Sequence, residues 1–316
     1  MTAELPLEPR ARFGVITGLP SRDAVRATVE LVEGLGFESL WVGDHVAFPI
    51  PILDPLLQLA QAAAHARTLS LGTGVYLLPL RHPVLVAKQV ATLDLLCEGR
   101  LIFGVGVGGE FPREYEACGV PVRERGARLS EAIPLLRQLW TGEPVASASR
   151  HFAFPEVRLL PRPAQPDGPP IVCGGRNPAA LERIARMGDG WISYVVTPEM
   201  FREGLEQIAR SAESAGRRLT RFESAHLLFA RIDDDYERAL DVATAHLSRR
   251  YAMDFRKAAA RYAALGPPAD VAAKLAAFSA SGVRHFVLDF VGPPAERDAQ
   301  LERFAREVRP LLGASP

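Results

Sequence analysis

Cysteine is scarce in this chain: Cys97, Cys118 and Cys173 are the only three in 316 residues. Their number is odd and their spacing fits no metal motif, so each reads as a reduced, packed thiol rather than part of a disulfide frame or zinc site. A surplus of either charge is also lacking. Lys plus Arg and Asp plus Glu number 37 each, and no run of five like charges occurs. With no field to attract a polyanion, nucleic acid is not an expected partner, and a small-molecule substrate is. No apolar stretch approaches the roughly twenty residues that span a bilayer, and the start, MTAELPLEPRAR, has no apolar signal core. No membrane partner is therefore expected, and the location is expected to be cytoplasmic.

What the chain does have is apolar residues, 48% of the total, and enough length for one large core. Leu69 to Gly109 sets the pattern. Leu69 to Leu78 and Leu101 to Val107 lack alternating polar positions, as in parallel strands covered on both faces. Between them Val86, Val90, Leu93 and Cys97 step by four, three and four, with His82 placed to cap, Pro83 in the first turn and Gly99 as the stop. Similar strand runs start at Arg12, Ser39, Ile171, Gly190, Ser224 and Val283. Eight strands alternating with helices predict a closed α/β structure, a (β/α)8 TIM barrel, as one domain over 1–316. Residues 142–169, with six prolines, read as an insertion outside the repeat, of the kind that forms a lid or pocket wall. Pro134 interrupts an apolar period and predicts a kink or a late helix start. Asp233 to Leu265 reads as one long helical stretch.

In parallel sheets, ligands sit at the carboxyl ends of strands, so residues there are the functional candidates. Asp44 and His45 follow a buried strand, and either could act on a ligand or cap a loop. His82 favours a cap, and Arg81 could meet an anion or be a surface cation. Gly104, Gly106 and Gly109 match G-x-G-x-x-G, but Pro112 and a polar loop follow where a dinucleotide site needs a helix. The glycines suit close approach of a flat ring to backbone. Glu110 could be an acid or base beside that ring, or a solvated loop carboxylate. Gly174-Gly175-Arg176 lies between a strand and a helix, where amides and a guanidinium could hold a phosphate, or where a tight turn merely needs glycine.

Several longer motifs occur in order: LWVGDH at 40–45, LGTGV at 71–75, LPLRHPVLVAKQVATLDLLCEGRL at 78–101, GVGVG at 104–108, ERGARLSEAIPLLRQLWTGEPV at 124–145 and CGGRNPAALERIARMGDGW at 173–191. Together they resemble the luciferase-like monooxygenase superfamily, especially its flavin- and coenzyme F420-dependent oxidoreductases. The likeness is closest from Phe13 to Tyr194. It implies a bacterial-luciferase-like barrel, often a homodimer, holding F420 or FMN, with F420 favoured. Members move hydride to or from the deazaflavin or activate oxygen with reduced flavin, which a flavin reductase would supply.

By position, the resemblance implies that Asp44 and His45 lie beside the ring and substrate, with His45 moving a proton. Gly74 and Val75 would form a bulge under the ring, often with a non-prolyl cis peptide. Gly106, Val107 and Gly108 would border the ring edge, Gly174 and Gly175 would bind phosphate, and Ser193 would lie near it. Glu110 matches a proton donor only loosely, because Gly109 intervenes. Phe48 is a loose match to an aromatic after the histidine. Arg176 and Arg81 are cations for an acidic coenzyme tail. Two other classes remain open: a flavin-binding relative without catalysis, and an unrelated phosphate-binding barrel enzyme. The latter would need a lysine or paired acid at a strand end, and none of the predicted ends carries a lysine.

Overall fold

Runs such as Ser39-Leu40-Trp41-Val42 offer water no polar alternate face, and each becomes a strand covered on both sides. The computed structural model describes residues 4–109 and 111–313. Its strands are β1 (Arg12–Ile16), β2 (Ser39–Val42), β3 (Ser70–Thr73), β4 (Leu101–Val105), β5 (Pro144–Ala148), β6 (Ala153–Arg158), β7 (Ile171–Gly174), β8 (Gly190–Tyr194), β9 (Glu223–Ile232), β10 (Ala264–Gly266) and β11 (His285–Phe290). Parallel neighbours run β1-β2-β3-β4-β7-β8-β9-β11, and β11 pairs back to β1. Among the described residues, eight parallel strands thus close into a barrel, as predicted. Short β10 adds to the side of β9.

Helices occupy the links between barrel strands because each presents one apolar stripe. In helix Arg22–Gly34, Val25, Val29 and Val32 are buried, each stabilising by about 1.5–3 kcal/mol, and Ser21 Oγ accepts from Ala24 N. His82 caps helix Pro83–Leu96 as expected, its Nδ1 accepting from Val84 N at 3.3 Å. Inside the barrel, Trp41, Ile102, Val172, Ile192, Ala225 and Val287 form a plug. Glycine at position 72 makes room for it, since a Cβ there would lie 2.3 Å from the Trp41 ring.

Four features differ from expectation. Helix Arg125–Trp140 starts early and runs through Pro134. Burial of Leu129, Ile133, Leu136 and Trp140 outweighs the roughly 3 kcal/mol that an interior proline costs. The stretch after Asp233 is two helices, Tyr236–Tyr251 and Arg256–Tyr262, separated at Ala252, which has φ of 53°. The polar loop after Val107 contains a short helix, Pro112–Ala117. Finally, 142–169 carries the antiparallel hairpin β5-β6, whose Phe152 and Phe154 rings meet His82 edge-on. His151 Nδ1 is 2.7 Å from Glu131, Lys88 donates to the Leu160 carbonyl, and Gln165 bonds to Asp94, so the segment is fastened to helices 125–140 and 83–96.

Candidate active site

Above the apolar plug, at the carboxyl ends of the strands, lies a cavity of about 550 Å³. Ile16, Val75, Ile192 and Leu227 join plug to cavity and form its floor. One wall is nearly bare backbone: Gly74, Val75, Gly106, Val107, Gly108, Gly174 and Gly175 all border the space. The facing wall is the loop after β2, with Phe48, Ile50, Pro51, Ile52 and Leu53. No described residue of 142–169 is among those that border it. The hairpin is held against the helices.

The Gly74–Val75 peptide is cis, as the resemblance implied. The glycine run has a second reason besides ring access: a Cβ on Gly106 would lie 2.4 Å from Val75, and one on Gly108 would lie 2.7 Å from Leu77. Gly43 and Gly18, also at the cavity, are different. A Cβ at either meets nothing within 4 Å and would project into open space.

His45 is oriented from behind. Its Nδ1 lies 3.2 and 3.3 Å from the carboxylate oxygens of Glu114, which has no solvent exposure and also accepts from Val46 N at 3.0 Å. A carboxylate facing Nδ1 places the ring proton there and leaves Nε2 as the nitrogen that can serve a ligand. Phe48 stacks on the imidazole at 3.9 Å between centroids, and Phe111 meets it edge-on, so the ring is fixed in two directions. Glu114 escaped the sequence reading because it sits 69 positions away on the unrecognised helix. Pro112 followed by Glu114 was the available signal of a helix start.

Asp44 borders the cavity but is bound on its other side. Its carboxylate accepts from Leu77 N at 2.8 Å and forms a two-pronged pair with Arg81, whose guanidinium lies 4.3 Å above the Tyr76 ring. Burial works against the Arg81 cation, but the bond and charge of Asp44 outweigh it and raise its pKa. Arg81 is thereby committed to Asp44, so it does not serve as a cation for a coenzyme tail. Arg176 is exposed at the rim, with only long bonds to the Tyr194 and Val195 carbonyls at 3.3 and 3.5 Å. Beside it, Gly174 and Gly175 precede helix Pro178–Met187, whose cap Asn177 accepts from Ala180 N at 2.8 Å.

Ser193 is at the expected strand end, and its hydroxyl has a protein partner. It bonds to His226 Nδ1 at 2.8 Å, and Ser193 itself borders the cavity. Burial holds His226 down to about 3, keeping it neutral. Glu110 lies outside the described residues. The sequence also missed Arg250 and Asp289, which border the cavity as a part-buried pair, with Arg250 Nη2 reaching His246 Nε2 at 2.8 Å. Cys97 and Cys173 are buried, which pushes their thiols up to about 11 and 12, as inert packed thiols should be. No group of three or more potential metal ligands occurs among the described residues.

Comparison with known proteins agrees with this geometry. The family model for luciferase-like monooxygenases matches residues 7–308. An F420-dependent glucose-6-phosphate dehydrogenase from Beutenbergia cavernae is 31% identical over 324 residues, covering 93% of this chain and 94% of that protein. An F420-dependent hydroxymycolic acid dehydrogenase from Mycobacterium tuberculosis is 34% identical over 223 residues, covering 67% of this chain and 60% of that one. Among solved structures, a monooxygenase from Streptomyces bottropensis superposes with a TM-score of 0.81 at 26% identity, covering 95% of this chain and 99% of that one.

Proposed function

Because the chain belongs to the luciferase-like monooxygenase family and is an oxidoreductase of that kind, we propose that it binds coenzyme F420 and uses His45 to move a proton during redox chemistry on a small organic substrate. The observation that carries this reading is the placement of His45, fixed through Nδ1 by Glu114, at a cavity whose other wall is bare backbone. A planar ring fits against Gly74, Val75 and Gly106 to Gly108. The helix N-terminus at Gly174 and Gly175 suits its phosphate, and Arg176 suits an acidic tail.

When bound, the deazaflavin supplies a carbon that accepts or donates hydride. The protein's part is proton handling and shelter. Nε2 of His45 takes the proton of a substrate hydroxyl as it becomes a carbonyl, or returns it in the reverse direction, an assistance typically worth about 10²- to 10⁴-fold. Glu114 is a positioning residue that fixes the tautomer and steadies the imidazolium. Asp44, braced by Arg81, holds the backbone of Leu77 and so the wall beneath the ring. Phe48, Phe111 and the loop to Leu53 keep water from the reacting end.

Three further assignments complete the proposal. The whole chain acts as one barrel domain. Exposed Leu57, Leu85 and Leu96, on helices Pro55–Ala63 and Pro83–Leu96, form part of a contact with a second copy. No helix among the described residues is long and apolar enough to cross a membrane, and a cytoplasmic location is proposed. Titrating the purified protein with F420 and with reduced FMN, each followed by its own absorbance band, tests the coenzyme. Micromolar binding of F420 is expected. Binding of reduced FMN alone would replace F420 and bring in a separate flavin reductase, and binding of neither would end the proposal.

A further inference from the structure

Each charged side chain bordering the cavity among the described residues already has a partner of opposite sign. Asp44 is paired with Arg81, and Arg250 with Asp289. His45 faces Glu114, so with a neutral ring the reacting end carries a net negative charge. Gln58, also at the cavity, uses both ends of its amide, accepting from Leu19 N and donating to the Leu53 carbonyl, each at 2.8 Å. Arg250 spends its remaining reach on His246. Beyond the backbone wall the lining is uncharged and mostly apolar: Leu19, Phe48, Ile50, Ile52, Leu53 and Phe229, with hydroxyl-bearing Thr17, Ser193, Tyr194 and Tyr251 among them.

We propose that this cavity takes an uncharged, largely apolar alcohol whose hydroxyl donates to His45 Nε2, and excludes phosphorylated sugars. The inference rests on the proposed function and deepens it. It also sets this chain apart from the glucose-6-phosphate dehydrogenase to which it is similar along nearly its whole length. A phosphate entering the apolar end would leave water with no free cation to receive it, and would have to break the Arg250–Asp289 pair to obtain one. A hydroxyl needs no charged partner, only an acceptor such as Nε2 of His45. The apolar body replaces water against Phe48, the Ile50 to Leu53 loop and Phe229.

Calorimetric titration tests this with 2-octanol and cyclohexanol against glucose 6-phosphate, on the coenzyme-saturated protein and on the bare chain. Background sulfate in every cell keeps the turn at Gly174 and Gly175 occupied. The apolar alcohols should bind at least about 100-fold more tightly than glucose 6-phosphate in both forms. Asp289→Asn, which strips Arg250 of its partner, should gain at least about 10-fold for glucose 6-phosphate while leaving 2-octanol unchanged. Equal or tighter binding of glucose 6-phosphate by the wild type would overturn the proposal, as would a folded Asp289→Asn with no gain. If that variant does not fold, the wild-type comparison decides. Failure of the proposed function reads differently: neither coenzyme binds, while the alcohol preference of the bare chain still stands or falls by itself.

Discussion

The two ends of the barrel each hold a histidine against a glutamate, and they differ in what the second nitrogen meets. At the amino ends of the strands, His285 Nδ1 is 2.7 Å from Glu223, and its Nε2 is 2.6 Å from Ser39 Oγ. Trp41 Nε1 donates to that hydroxyl at 2.8 Å, and Arg12 grips Glu223 at 2.8 and 2.7 Å. The line runs from indole to hydroxyl, hydroxyl to imidazole, and imidazole and guanidinium Nη2 to carboxylate, and both nitrogens of His285 are taken, although Arg12 Nε has no partner. At the carboxyl ends, the His45–Glu114 contacts are looser, at 3.2 and 3.3 Å, and Nε2 is left for the cavity. A satisfied network holds a fold together, whereas one with an open position can do chemistry.

Breaking the open end should have the largest effect. His45→Ala should lower turnover by about 10²- to 10⁴-fold with coenzyme affinity unchanged, measured by steady-state rates beside an absorbance titration. Unchanged turnover would remove His45 from the mechanism. The matching cut at the closed end should act on stability. Glu223→Ala leaves buried His285 and part-buried Arg12 without their carboxylate and should cost about 2–4 kcal/mol in denaturant unfolding, with turnover per folded molecule intact.

The closed end also predicts a pH dependence. Burial alone would raise the Glu223 carboxyl, but the bond and charge of His285, then Arg12, hold it at about 2, against 4.5 for an ordinary glutamate. Its contribution is therefore fully present above about 4.5 and is lost as pH falls towards 2, where the native state must take up the proton that the unfolded chain already holds. The destabilisation caused by Glu223→Gln should accordingly shrink across that window. A penalty constant from pH 5 to 2.5 would contradict the assignment.

Smaller effects sharpen the comparison. Glu114→Gln keeps an acceptor for Nδ1 and should lose about 10-fold in kcat with KM little changed, while Glu114→Ala should lose more. Equal losses in the two variants would show that orientation of the ring is not what Glu114 supplies. His226, held near 3 by burial, costs stability as pH falls below 6.5, because only the unfolded chain protonates it. His226→Phe should therefore flatten stability between pH 7 and 5 by about 1–2 kcal/mol, read from urea midpoints.

The barrel was legible because doubly covered strands must be apolar at successive positions, so β2, β4 and β7 announce themselves within a residue or two. The segment after Pro112 was not, since six residues are too few to display a helical period. The hairpin β5-β6 was hidden because its residues are mostly exposed and carry no alternating apolar face. Asp44 and His45 were legible from their place after a strand. Their partners were not: the sequence leaves Arg81 open between an anion and solvent, and Glu114, Arg250 and Asp289 reach the site only through closure of the barrel. Sequence order reveals which residues stand at a rim, while pairing across it is a tertiary fact.

Imidazole nitrogen NMR of the seven-histidine protein, assigned with His45→Ala and His285→Ala, tests the contrast between the two ends most directly. On adding coenzyme and then 2-octanol, the account predicts that the His45 Nε2 resonance moves while both nitrogens of His285 stay in place. A still His45 signal beside a shifted His285 would contradict it.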